Sequence, residues 1–166
     1  MKNKSKEVAF AGISVALALI LAYAETLLPP LFVAVPGIKM GLPNIVIIFL
    51  LYRRGPAFAG AVSFIRIFLV ALLFGNAASL IYSISGGIFS FVAMLLLRKM
   101  NLFSTVGVSV AGGVMHNVGQ ILAAAVLLNT EQLGYYLAVL AVSGTVAGVF
   151  IGLCGTFLVK RVPEKV

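Results

Sequence analysis

Apolar and polar positions along this chain do not alternate with a two-residue period, and they do not form one clean stripe. They fall into long apolar windows separated by short segments of turn residues or paired basic residues: Val8–Leu28, Leu42–Tyr52, Pro56–Phe74, Ala77–Leu97, Ser104–Leu128 and Leu133–Val159. Windows that are apolar on all sides are the signature of helices in lipid rather than of helices on a soluble core. The pattern predicts an all-α membrane protein of six transmembrane helices in one integral membrane domain spanning residues 1–166. The second window is the exception. Its roughly 11 residues rise only about 17 Å, while the hydrocarbon core is about 30 Å thick.

What precedes that short window accounts for the shortfall. The stretch "LPPLFVAVPGIKMGLPN" carries Pro29, Pro30, Pro36, Gly37, Gly41 and Pro43 around an apolar "LFVAV". It cannot form one regular helix, and its backbone polar groups need protein or water around them at membrane depth. Two readings fit: an ordinary long outer loop, or a re-entrant outer loop that lids a cavity before a short second helix with Pro43 near its first turn. Broken segments of this kind point to binding sites in transporters.

Composition strengthens the membrane assignment. Of 166 residues 62% are hydrophobic and only 10% charged, with a mean hydropathy of +1.18, whereas soluble domains carry about 25% charged residues. The first window follows a basic start, but it is as long as a full span and lacks a small-residue cleavage pattern, so it is expected to stay as a helix. A net charge of +8 raises the question of nucleic acid. The positions of the charges answer it: Lys2, Lys4, Lys6, Arg53, Arg54, Arg98, Lys99, Lys160, Arg161 and Lys165 all stand at window ends. That distribution is what the positive-inside rule produces, placing both termini, "YRRGP" and "RKMN" in the cytoplasm and the chain in the cell membrane as a multi-pass protein. Nucleic acid is not an expected partner; the lipid bilayer is.

Two basic residues remain, Lys39 in the outer Pro/Gly segment and Arg66 in the middle of the third window. A charge at that depth costs about 2.5–3.5 kcal/mol on insertion scales, so Arg66 is expected to face protein or water. It either pairs with Glu25, near the outer end of the first window, or meets an anionic group on a ligand. Lys39 is either a solvated loop charge or the cationic lip of a pocket. Asn44 opens the short helix and reads as a cap or as a pocket residue.

The fifth window contains "GGVMHNVGQ", with the chain's only histidine. On a helix His116 and Gln120 are i,i+4 neighbours, Gly112 extends their stripe, and Asn117 stands at i,i+3 from Gln120. One reading makes these residues interhelical glue; the other makes them a pocket wall. Small-residue stripes occur at Gly144, Gly148 and Gly152 on the sixth window, and at Gly12 and Ala16 with Ala18 and Ala22 on the first. Such stripes let helices approach closely.

Other chemistry is missing from the inventory. One cysteine and one histidine make a zinc site improbable, and no phosphate-cradling G-x-x-x-x-G-K-[ST] motif is present. The chain has no aspartate and four glutamates, which cannot build a magnesium–diphosphate site. No catalytic residues, metal or cofactor are expected.

Six windows, a small-residue first helix, "PGIKMGLPN" leading into a short second helix, an arginine in the third window and "GGVMHNVGQ" in the fifth together resemble the Gx transporter family. Its members are often labelled heptaprenyl diphosphate synthase component I and are similar to the S components of energy-coupling factor vitamin transporters. The resemblance implies an S-component-like bundle that binds a small-molecule ligand and associates with a membrane T subunit and cytoplasmic ATPases. It implies a partner interface at Gly12, Ala16, Ala18 and Ala22, a gate in "PGIKMGLPN", and a pocket lined in part by His116, Asn117 and Gln120. Lys39 and Arg66 against Glu25 favour a ligand with an anionic group. Tyr23, Phe32, Phe74 and Tyr82 would suit a flat ring such as a flavin. The competing reading is a non-catalytic membrane subunit linked to isoprenoid, quinone or redox metabolism.

Overall fold

The computed structural model describes residues 4–27, 41–129 and 135–162, which form six α-helices. These are α1 (Lys4–Thr26), α2 (Asn44–Arg53), α3 (Pro56–Phe74), α4 (Ala77–Met100), α5 (Thr105–Leu128) and α6 (Leu137–Arg161). All except α2 are long and apolar enough to cross a membrane, and the chain is a multi-pass membrane protein. Residues 28–40 of the predicted re-entrant loop, with Lys39 and Phe32, lie outside the described residues.

The helix boundaries have local causes. Asn76 caps α4 through a reciprocal pair with Ser79, its side chain accepting from Ser79 N–H at 2.8 Å. Ser104 caps α5 by accepting from Gly107 N–H. At the turn between α2 and α3, Gly55 takes φ 92°, a value that side chains disfavour, and Pro56 then starts α3. Asn101 and Asn129 close α4 and α5 in the left-handed conformation.

The bundle is apolar outside and partly polar inside. Phe64, Ile65, Phe68, Leu72 and Leu73 project from α3 into the surroundings, while Ser14, Ser63, Ser90, Ser109 and Asn117 are buried. A lipid-facing surface needs no polar cover, and hydroxyl and amide groups are more stable against protein than against hydrocarbon. Short α2 is enclosed: Val46, Ile47, Ile48, Leu50 and Leu51 are all buried, packed with Val15, Ala18, Ala59, Val62, Met94, Val108 and Ile151. Its C-terminal Arg53 donates to the carbonyls of Val159 and Val162 at the end of α6, satisfying groups that the helix end leaves bare. Beside it Arg54 lies over the Phe10 ring at 4.4 Å and Arg98 over the Tyr52 ring at 5.2 Å. The basic residues thus gather at one end of the bundle.

Helices α4, α5 and α6 approach through glycine. A Cβ on Gly148 would stand 2.6 Å from the Cα of Val110, and one on Gly152 would stand 2.7 Å from the Cα of Val106. One on Gly119 would meet the Ser85 carbonyl oxygen at 2.8 Å. These neighbours are backbone and cannot swing aside. Gly12 on α1 differs, with nothing within 4 Å of such a Cβ. Gly148→Ala is therefore expected to destabilise the bundle by about 1–3 kcal/mol, while Gly12→Ala leaves stability unchanged or raises it by up to about 1 kcal/mol. Thermal unfolding in detergent checks this, and equal shifts for the two variants would contradict the close-approach account.

Candidate functional site

Toward the end opposite the basic cluster, a cavity opens where α1 and α3 meet α4 and α5. Its walls include Ala22 and Glu25 from α1, Gly41 and Pro43 before α2, Arg66, Ile67 and Val70 from α3, Ser83 from α4, and His116 and Gln120 from α5. The volume is about 30 Å³, room for roughly two waters, against the roughly 150 Å³ that accommodates benzene. A ring compound fits only if the walls part.

Each charged or polar wall residue is placed by helical periodicity. The inward face of α3 runs Ala59, Val62, Ser63, Arg66, Ile67, Val70, and this three-to-four spacing carries Arg66 inside with 8% of its surface exposed. Its Nη2 donates to Asn44 Oδ1 across a long 3.4 Å, and the Glu25 carboxylate supplies an attractive charge. Glu25 also accepts a 2.6 Å hydrogen bond from Gly41 N–H, so one carboxylate ties the end of α1 to the start of α2. Gly41 holds φ +84°, and a Cβ there would strike the Asn44 amide at 2.9 Å. Glycine is required at this join.

On α5, His116 is 8% exposed and Gln120 3%. Both rest against Gly86 of α4, where a Cβ would come within 2.9 Å of the His116 ring and of Gln120 Cγ. Three buried atoms on the cavity walls have no hydrogen-bond partner among the described residues: Arg66 Nε, His116 Nδ1 and Gln120 Oε1. Polar atoms buried without partners cost about 1–3 kcal/mol each. All three belong to residues that line this one cavity.

The structure therefore brings together Glu25, Asn44, Arg66, His116 and Gln120. It does not bring Asn117 to them. Asn117 Nδ2 donates to the Leu140 carbonyl at 2.8 Å and to Ser143 Oγ at 3.3 Å on α6, because one residue along a helix turns the side chain by about 100°. Asn117 thus ties α5 to α6, as its interhelical reading expects, and is not among the described residues that line the cavity. The first-helix stripe also divides. Ala18 and Ala22 are buried against the chain's own helices, Ala22 on the cavity wall, and only Gly12 and Ala16 stay on the outer face.

Of the aromatic residues expected to line the pocket, Tyr23, Phe74 and Tyr82 are not on these walls, whose apolar members among the described residues are Ala22, Pro43, Ile67 and Val70. Tyr23 and Phe74 pair with each other at 5.3 Å, both well exposed. Ser83 and Gly86 are residues that sequence reasoning missed. Gly86 stands in "SGG" within the fourth window, a signal for close approach but not for what approaches. Among the described residues no group of three or more His, Cys, Asp or Glu side chains could hold a metal ion.

The sequence pattern of one known family, described as heptaprenyl diphosphate synthase component I, matches residues 14–158. The chain belongs to that family. Its matched region takes in every described wall of the cavity, from Ala22 to Gln120. No curated protein and no solved structure matches the chain.

The two charges in the cavity give a direct test. Glu25→Ala leaves Arg66 buried without that carboxylate and is expected to cost about 3–5 kcal/mol, while Glu25→Ala combined with Arg66→Met recovers much of the loss. SDS titration in mixed micelles measures both. A double variant no more stable than the single one would show that the charges do not support each other.

Proposed function

We propose that this chain is the substrate-binding membrane subunit of a small-molecule uptake transporter of the energy-coupling factor type. The observation that carries the reading is the cavity, where Arg66, His116 and Gln120 keep unmet hydrogen-bonding atoms on buried walls. A scaffold would spend those atoms on its own helices, as Asn117 does. The chain acts as a single integral membrane domain, with the basic end in the cytoplasm and the cavity toward the outside. The ligand is vitamin-like or cofactor-like, flavins included, and carries an anionic group for which Lys39 of the outer segment is a suitable cation. Binding separates the walls at the join of α1 and α3 with α4 and α5.

The energy for release comes from a membrane T subunit and cytoplasmic ATPases, since this chain has no nucleotide-binding motif of its own. Gly12 and Ala16, small and outward on α1, offer the T subunit a close contact. No catalytic role is proposed: the chain has no aspartate, and a diphosphate-handling magnesium site needs several carboxylates. The family's description favours one second reading, a non-catalytic membrane subunit of an isoprenoid-linked enzyme. It predicts copurification with that enzyme and loss of its activity on deletion.

Native mass spectrometry of protein purified in mild detergent, beside the denatured extract, separates the two. A vitamin-like ring compound at near one per chain is expected, with occupancy at least tenfold lower in His116→Ala and Gln120→Ala at unchanged melting temperature. A prenyl or quinone compound would move the assignment to the second reading. Full occupancy in both variants would remove the cavity from the binding site.

A further inference from the structure

Resting on the proposed binding function, we infer that the part of the ligand buried in this cavity is a neutral cis-amide edge, a lactam, imide or cyclic urea, rather than a carboxylate or phosphate. The deciding residue is Gln120. This residue is 3% exposed, is among those lining the cavity, and has an acceptor oxygen, Oε1, without a partner among the described residues. Whichever way the amide is turned, it carries an acceptor and donors side by side. A carboxylate or phosphate dianion offers acceptors only and supplies no donor for that oxygen. A cis-amide offers one donor and one acceptor on the same edge, which pairs reciprocally with a carboxamide.

Arg66 points the same way. Its open Nε–H is a donor, and a neutral amide carbonyl can accept from it. Glu25 shares the cavity with it, so a second negative charge placed on Arg66 would also face the Glu25 carboxylate at short range and low dielectric. His116 takes either a donor or an acceptor according to its tautomer and does not discriminate. An edge with the order acceptor, donor, acceptor, as in a ring imide, meets Arg66 and Gln120 together. The ligand's anionic group then belongs outside this cavity.

Lumiflavin is a suitable probe, being a neutral ring whose single N–H lies between two carbonyls; 3-methyllumiflavin lacks that N–H, and benzoate supplies a ring with an anion. Fluorescence titration of the purified full chain in lipid nanodiscs is expected to show lumiflavin binding, with 3-methyllumiflavin weaker by roughly 5- to 150-fold and no competition from benzoate. Gln120→Leu should remove the discrimination between the two flavins. Equal binding of both flavins, or displacement of lumiflavin by benzoate, overturns the inference; if His116→Ala still weakens that binding, the cavity reading survives. Lumiflavin that does not bind at all also overturns the inference, while the occupancy of the purified protein judges the cavity reading separately.

Discussion

A guanidinium halfway along an apolar helix cannot be left in hydrocarbon, and much of this bundle follows from that constraint. Turning Arg66 inward sets the rotation of α3, which sends Phe64, Phe68 and Leu72 outward and brings Ile67 and Val70 to the cavity. The charge then needs company. Glu25 arrives from the end of α1 and Asn44 from the first turn of α2, and the same carboxylate reaches Gly41. One buried cation thus organises the meeting of three helices at the end of the bundle away from its basic cluster.

The other half of the cavity is made by subtraction. Gly86 has no side chain, and the space it leaves is occupied by the His116 ring and Gln120. Gly144 leaves similar space, and Asn117 uses it to reach the α6 backbone at Leu140. Two adjacent residues on α5 therefore do different work: His116 lines a cavity and Asn117 binds two helices together. The difference lies in which neighbouring helix each one faces. Membrane helices gain little from simple burial against one another, so close packing through glycine and a few well-made polar bonds carries much of their association.

At the opposite end the arrangement is anchored rather than open. Arg53 satisfies the last carbonyls of α6, Arg54 covers Phe10, and Arg98 covers Tyr52. These contacts hold enclosed α2 to the helices around it. The cavity's unmet polar atoms thus stand toward one end of the bundle and a well-tied base at the other.

Membrane residence, the number of helices, the shortness of α2 and the inward turn of Arg66 were legible in the sequence. Hydropathy and charge placement act locally, and the cost of a charge or a bare peptide group in lipid leaves few alternatives. His116 and Gln120 were legible as a pair because i,i+4 spacing is a property of one helix. What Asn117 faces, which half of the α1 stripe is buried, and the role of Gly86 were not, since each depends on the neighbour that packs against that face. Sequence alone determined which residues must avoid lipid; the tertiary structure decided which of them meet one another, because a helix's period sets the direction of a side chain but not what stands opposite it.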